Sequence, residues 1–160
     1  MGAVVRRIIP ADDAAVASII RTVMPEFGAS GPGFSIHDAE VSAMCGAYSS
    51  PGSAYFVLEI NGWVLGGGGI APLTGADKSV CELRKMYFLE AARGAGYGEQ
   101  LLRRCLDFAK DAAYGTCYLE TLTGMEPAQR LYERLGFERQ SGALGATGHF
   151  ACDRYYTRAL

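Results

Sequence analysis

The sequence lacks any apolar run near the ~18 residues that a membrane-spanning helix needs. Its N-terminus contains no apolar segment of signal-peptide length ahead of a cleavage site. The net charge of −2 also leaves no excess of basic side chains, which argues against binding of nucleic acid through a broad basic surface. A local basic groove for an anionic cofactor is still compatible with that charge. These absences predict a cytoplasmic protein that contacts neither a membrane nor nucleic acid.

The sequence also lacks a cysteine pattern. It has five cysteines, an odd number, and no two of them are spaced C-x-x-C. A disulfide framework or a zinc site is therefore poorly supported, and no metal is expected. Buried reduced thiols are the simpler interpretation. Hydrophobic residues make up 49% of the 160 residues, so one domain over residues 1–160 can bury an ordinary core.

The hydrophobic periodicity predicts the element order β-α-α-β-β-β-α-β-α-β-β, which is a mixed α/β (α+β) fold around one sheet. Apolar or alternating runs predict strands at residues 4–9, 54–60, 63–71, 80–89, 117–121, 137–139 and 150–157. Apolar residues at helical spacing predict helices at residues 12–25, 37–46, 101–113 and 128–136. Within the third strand, residues 66–69 are all glycine, which weakens strand pairing. A bulge, a close backbone approach and a loose edge strand are all open explanations.

A glycine-rich turn joins the fourth strand to the third helix, with the sequence Arg93-Gly94-Ala95-Gly96-Tyr97-Gly98. The glycines allow backbone N–H groups to point into one space, and the helix that follows adds unpaired N–H donors and the positive end of its dipole. That combination is typical of a site for phosphate or pyrophosphate. It is not a dinucleotide fingerprint, because Glu99 stands where the third glycine should be, and no Gly-Lys-Ser/Thr of a P-loop follows. An ordinary strand-to-helix turn is the alternative.

A second motif, Ala128-x-x-Leu131-Tyr132-x-x-x-Gly136-Phe137, lies at the end of the last predicted helix. Together with Arg-x-x-Gly-x-Gly at residues 93–98 and the element order, it resembles the GCN5-related N-acetyltransferases, the GNAT superfamily. The resemblance covers nearly the whole chain. It implies an acyl-CoA N-acyltransferase fold, with a central sheet that splays between its fourth and fifth strands and is flanked by helices.

The resemblance also implies an activity, the transfer of an acetyl group from acetyl-CoA to an amine by direct attack in a ternary complex. The loop residues would hold the pyrophosphate of acetyl-CoA, and the end of the fourth strand would pair with its pantetheine arm. Tyr132 would protonate the leaving thiolate. Many members of the family are homodimers, so the resemblance is compatible with a homodimer here. The implied cofactor-binding residues are Met86, Tyr87, Phe88, Arg93, Gly94, Ala95, Gly96, Tyr97, Gly98 and Glu99.

Glu82 falls where some members carry a glutamate that acts as the general base. An amine that arrives as ammonium must lose a proton before it attacks, and burial in an apolar strand would raise the pKa of a glutamate towards a useful range. Glu82 could equally be structural and pair with Arg84, two residues further on the same strand face. Glu120, at the end of the next strand, is a weaker candidate for the base or for an anchor of a cationic acceptor.

His149 lies where the last hairpin of the family approaches the acceptor pocket, so it could move a proton, bind the acceptor or fix a loop. A nucleophilic dyad of Cys152 and His149 is disfavoured, because positions three apart on a strand point to opposite faces. His37 is interpreted as a helix-start residue. A small-molecule amine is favoured over a protein as the acceptor, and the different class of function kept open is a non-catalytic acyl-CoA-binding module.

Overall fold

A computed structural model describes residues 2–160 of the chain. The helices are α1 (Asp13–Glu26), α2 (Met44–Ala47), α3 (Tyr97–Asp111) and α4 (Glu126–Arg134). The strands are β1 (Ala3–Arg7), β2 (Ala54–Ile60), β3 (Trp63–Pro72), β4 (Val80–Phe88), β5 (Thr116–Thr121), β6 (Glu138–Gln140) and β7 (Arg154–Ala159). This is the predicted order of elements, and the mixed α/β fold class is confirmed. Every helix of residues 2–160 is too short or too polar to cross a membrane.

Two predicted elements are wrong in detail. The helix expected at residues 37–46 is replaced by two 3-10 turns, Ser35–His37 and Ala39–Ser42, and by the four-residue α2. Asp38 separates the two turns with extended backbone, because its carboxylate contacts side chains of distant elements. The last strand begins at Arg154 rather than near residue 150, and residues 149–152 form a turn in which the Cys152 N–H donates to the His149 carbonyl.

The seven strands form one sheet in the order β1-β2-β3-β4-β5-β7-β6. Only β4 and β5 are parallel, and they pair at three positions, where residues 80–82 lie opposite residues 116–118. Beyond Glu82, β4 pairs with β3 alone. The two strands therefore diverge, which confirms the splayed sheet and leaves the last part of β4 with a free edge.

Two of the three proposed explanations account for the glycine run of β3, namely a close backbone approach and a bulge. A side chain on Gly67 would lie 2.6 Å from the Tyr55 ring, and one on Gly68 would lie 2.7 Å from Leu101, so both faces of the strand are closely covered. The register with β4 also shifts between Gly67 and Gly69, opposite Lys85, whose φ is +49°. The loose-edge explanation is wrong, because β3 lies between β2 and β4.

The core has two parts, one on each face of the sheet. Phe56 and Leu58 of β2 pack towards α3 on one face, whereas Tyr55 and Val57 of the same strand pack towards α1 on the other. This alternation follows from the period of two along a strand. With both faces covered, the place where the interior opens is the gap between β4 and β5.

Candidate active site

An apolar cavity of about 390 Å³ lies beside the free edge of β4. We call it the apolar cavity. Met86, Tyr87 and Phe88 of β4 line one side, and residues of α1 and α4 face them. Arg93, Gly94 and Gly98 close one end. Six of the ten residues that the family resemblance implies for the cofactor thus line one cavity. The other four, Ala95, Gly96, Tyr97 and Glu99, lie in the adjoining turn and the first turn of α3.

The glycine turn presents unpaired backbone donors. None of the N–H groups of residues 94–99 donates a hydrogen bond to another part of residues 2–160. Gly94 and Gly96 have φ of +83° and +85°, and a side chain on either would meet no atom within 4 Å. The left-handed backbone, rather than crowding, therefore favours glycine at these positions. Consecutive N–H groups at the start of a helix of this length are suited to bind an anion.

Glu99 places a carboxylate in the same turn, but its charge is balanced. Arg103 lies 3.1 Å away and Arg134 lies 3.2 Å away, and these two guanidinium groups keep the pKa of Glu99 below its usual range. Arg93 is also engaged, since its Nε donates to the Phe88 carbonyl at 2.9 Å and its other end contacts Glu26. A site for an anion at this turn would thus be made of backbone, with arginines at its rim.

A second cavity of about 50 Å³ lies where β4 and β5 part, and we call it the inner cavity. It shares Met86, Tyr87 and Met125 with the apolar cavity. The structure brings together here the four side chains proposed for chemistry or for the acceptor, although they are far apart in sequence. These side chains are Glu82, Glu120, Tyr132 and His149.

Glu82 combines both of its predicted properties. Its side chain is buried, and burial raises the pKa of its carboxyl above the usual range, although Arg84 acts in the opposite direction. The Arg84 Nε donates to Glu82 Oε1 at 2.7 Å, so the structural pair exists. One carboxylate oxygen is held by Arg84, and the raised pKa brings the group towards the range of a useful base.

Tyr132 has an unusual environment for a buried phenol. Its ring packs against Phe137 and Tyr156, with centroids 5.8 and 6.1 Å away. Its hydroxyl makes no hydrogen bond within residues 2–160, and because no fully buried side-chain oxygen there lacks a partner, this hydroxyl is accessible from the inner cavity that Tyr132 lines. Burial raises the pKa of the phenol, so it keeps its proton at neutral pH. A protonated hydroxyl without a partner, facing a cavity, is available to donate to a ligand.

The Glu120 carboxylate holds the loop before β7 in place through several contacts. Tyr118 and Thr147 both donate to its carboxylate at 2.7 Å, and the His149 Nδ1 lies 3.6 Å away, which is an ion-pair rather than a hydrogen-bond distance. Burial opposes ionisation of Glu120, but these contacts outweigh it and lower its pKa. A low pKa makes Glu120 a weak base and leaves it as a fixed negative charge.

His149 bridges two carboxylates. Its Nε2 lies 2.9 Å from Asp38 and its Nδ1 faces Glu120, and these two acids raise the pKa of the imidazole to about 9. The argument from strand alternation against a dyad with Cys152 was wrong, because both residues lie in a turn and line the inner cavity. The dyad is still absent. Both imidazole nitrogens face carboxylates, and burial raises the pKa of the Cys152 thiol to about 12.

Sequence reasoning missed a buried lysine. The Lys85 side chain is 1% exposed, and its Nζ lies 2.7 Å from Asp38 and 2.9 Å from Glu40. Both acids lie more than 40 residues before Lys85, so no sequence spacing predicts that they contact it. The only signal was a lysine in the middle of a strand, which a buried position would force to find carboxylate partners. His37, by contrast, is exposed outside these cavities, with its Nε2 2.7 Å from the Ser30 carbonyl.

One group of the inner cavity has the chemistry of metal ligands. Glu82, Glu120 and His149 each offer one ligand atom, and these atoms lie within 4.8 Å of one another. The sequence offered no sign of this group, because its members come from two strands and a loop. Metal binding requires a neutral imidazole, and the raised pKa of His149 opposes that state at neutral pH.

The stability of the fold should depend on the protonation of His149. Its folded pKa is above the 6.5 of an unperturbed imidazole, so its contribution is fully present below pH 6.5 and is lost as the pH rises through about 9. The carboxylates responsible are Asp38, Glu120 and Glu82. We expect the free energy of unfolding, measured with urea, to fall over this range.

The variant His149→Gln serves as the control, since the side chain remains polar but cannot titrate. Its urea midpoint should fall less between pH 6.5 and 9 than that of the wild type. Equal pH dependence in the two proteins would show that other groups control stability there.

Comparison with known proteins gives matches along nearly the whole chain. A family model described as "Acetyltransferase (GNAT) family" matches residues 17–137. The uncharacterized N-acetyltransferase YjgM of Escherichia coli (strain K12) is 44% identical over 158 residues, which are 98% of this chain and 95% of that protein.

Solved structures share the fold. An acetyltransferase of the GNAT family from Staphylococcus aureus Mu50 superposes with a TM-score of 0.81 at 18% identity, over 99% of each chain. A phosphinothricin acetyltransferase from Sinorhizobium meliloti, in complex with AcCoA, superposes with a TM-score of 0.77 at 22% identity, over 100% of this chain and 89% of the other.

Proposed function

The chain belongs to the acetyltransferase (GNAT) family, and we propose from this premise that it transfers the acetyl group of acetyl-CoA to a primary amine by direct attack in a ternary complex. The observation that carries the proposal is the connection between two cavities. The apolar cavity leads from the glycine turn along β4, and it shares three lining residues with the inner cavity that holds Glu82 and Tyr132.

Acetyl-CoA would occupy the apolar cavity as co-substrate. The unpaired N–H groups of residues 94–99 would hold its pyrophosphate. The pantetheine arm would lie along the free edge of β4, where Met86, Tyr87 and Phe88 have strand neighbours on one side only. Backbone groups at such an edge can pair with an extended ligand. The thioester would then reach the inner cavity near Met86, Tyr87 and Met125.

The reaction would need three proton transfers. Glu82 would take a proton from the acceptor ammonium, and the free amine nitrogen would attack the thioester carbonyl carbon. A C–N bond forms and the C–S bond breaks. The CoA thiolate would take its proton from the Tyr132 hydroxyl, and the surplus proton on the newly bonded nitrogen would return to the Tyr132 phenolate, which leaves a neutral amide and a neutral phenol. The positions of a buried carboxyl with a raised pKa and a neutral phenol in one small cavity support this division of roles.

The decisive experiment is an acceptor screen with acetyl-CoA that follows release of the CoA thiol, combined with calorimetry of acetyl-CoA binding. Thiol release that depends on an added amine, with an N-acetylated product identified by mass, is the expected result. Acetyl-CoA binding without thiol release on any amine would instead support a non-catalytic acyl-CoA-binding module.

The variant Gly96→Asp should weaken acetyl-CoA binding about 30-fold. A carboxylate at this position would face the pyrophosphate, and repulsion of about 2 kcal/mol corresponds to that change in Kd. Gly96→Asn is the matched control, because asparagine has the same shape and tolerates the same left-handed backbone without charge. Calorimetry should show a much smaller loss for the asparagine variant, and equal affinities of the two variants would place the pyrophosphate elsewhere.

A further inference from the structure

The cationic side chains of the inner cavity are all engaged by carboxylates. The Arg84 Nε lies 2.7 Å from Glu82. Lys85 and His149 both contact Asp38, at 2.7 and 2.9 Å. Within residues 2–160, each cation that lines the inner cavity is therefore already paired with a carboxylate, and a carboxylate of a substrate would have to share it.

Carboxylates outnumber these cations. Glu40 is a second partner of Lys85, and Glu120 is a second partner of His149. These groups form one cluster, with the acids Asp38, Glu40, Glu82 and Glu120 and the cations Arg84, Lys85 and His149. Even with His149 protonated, the net charge of this cluster is negative. An arriving ammonium would bring the cluster to neutrality, whereas a carboxylate would add to an excess of the same sign in a partly desolvated site.

The different sizes of two adjoining cavities suggest where the amine and the rest of the acceptor would lie. The inner cavity has a volume of about 50 Å³, and in the proposed complex it would hold the thioester together with the amine that attacks it. An outer cavity of about 210 Å³ adjoins it and shares Glu120 and His149 with it. A carboxylate on the carbon that carries the amine would have to enter the inner cavity with that carbon. The body of the acceptor would stay in the outer cavity.

The outer cavity is built mainly from small and apolar residues of the loop before β7. Leu144 and Phe150 are 42% and 80% exposed, and both line this cavity. The Phe150 ring lies against Gly33, where a side chain would come within 2.6 Å of it. The loop itself is held in place, since the Leu144 N–H donates to Tyr118 and Thr147 donates to Glu120. An apolar body of a substrate would cover these exposed surfaces.

We propose that the acceptor is a small primary amine with an uncharged, apolar body, and that free amino acids are rejected because of the carboxylate beside their amine. This inference rests on the proposed acetyl transfer. Charge selects the amine in the inner cavity, and Leu144 and Phe150 select the apolar body in the outer cavity.

The test compares acceptors that differ in one group. Phenethylamine, phenylalaninamide and phenylalanine have the same ring and amine, and only phenylalanine carries the carboxylate. We expect kcat/KM for phenethylamine to exceed that for phenylalanine by at least about 100-fold, with phenylalaninamide closer to phenethylamine. Comparable values for phenethylamine and phenylalanine, or a preference for aspartate or for a peptide N-terminus, would overturn the inference.

A variant tests the outer cavity. Leu144→Asp should lower kcat/KM for pentylamine about tenfold and raise the relative rate with 1,5-diaminopentane, because the second ammonium would then meet a carboxylate. Leu144 is half exposed, so the variant should fold. Trp63→Asp, at an exposed position that lines none of the three cavities, is the matched control and should leave both rates unchanged. An unchanged preference in Leu144→Asp would contradict the assignment of the outer cavity.

The results of these experiments distinguish a failure of this inference from a failure of the proposed acetyl transfer. If no amine of any class releases thiol although acetyl-CoA binds, the proposed transfer is wrong. If free amino acids are acetylated and phenethylamine is not, the transfer is right and the inference about the acceptor is wrong.

Discussion

Tyr132→Phe should lower kcat for acetyl transfer by at least about 100-fold, the lower end of what general acid catalysis contributes. The change removes only the hydroxyl, and that hydroxyl has no hydrogen bond within residues 2–160 to lose. The ring contacts with Phe137 and Tyr156 remain, so the fold should keep its stability. The Kd of acetyl-CoA should change little, because a general acid acts on the departing thiolate.

Steady-state kinetics and calorimetry on the same preparation separate these effects. Tyr114→Phe is a matched control, since its hydroxyl donates to the Gly52 carbonyl and it lines none of the three cavities. It should lose some stability and no activity. Full turnover in Tyr132→Phe would exclude this hydroxyl as the proton donor.

Glu82→Gln should reduce kcat/KM at neutral pH by about 100-fold, because the acceptor ammonium would lose its proton acceptor. The defect should shrink as the pH rises, since a growing fraction of the amine is then already deprotonated. In the wild type, kcat/KM should fall at low pH with a midpoint above the usual range of a glutamate, because burial raises the pKa of Glu82. This fall of kcat/KM at low pH should be absent from Glu82→Gln.

The substitution also separates the two interpretations of Glu82. A glutamine can still accept the hydrogen bond from the Arg84 Nε, so a purely structural Glu82 would leave the rate nearly intact. Glu59→Gln is a suitable control, as Glu59 also lies on a strand and contacts an arginine, Arg6, at 2.9 Å. Equal pH profiles of Glu82→Gln and the wild type would assign the base to another group.

Local sequence patterns were sufficient to predict structure where it depends on residues that are neighbours along the chain. The glycine turn and the amphipathic helix after it were predicted from the spacing of glycines and apolar residues, although α3 begins at Tyr97, four residues before the predicted start. The element order and the family resemblance are confirmed for the same reason. Local patterns failed at residues 37–46, where contacts of Asp38 with distant side chains replaced the expected helix.

Partners that lie far apart along the chain could not be predicted. Lys85 meets Asp38 and Glu40 across the interior, and His149 meets Asp38 from the loop before β7. No periodicity or spacing encodes these pairs, because they depend on how the splayed sheet and the loops enclose the inner cavity. The same enclosure makes His149 a bridge between acids and Glu120 a fixed charge.

The sequence by itself determined the glycine turn, the tyrosine helix and the order of the strands, because each depends on residues that are neighbours along the chain. It therefore predicted the half of the site that we propose for the acetyl donor. Only the tertiary structure decided the charge and the size of the half suited to the acceptor. That half is built from β4, β5, the turns around Asp38 and the loop before β7, and only folding brings their carboxylates together.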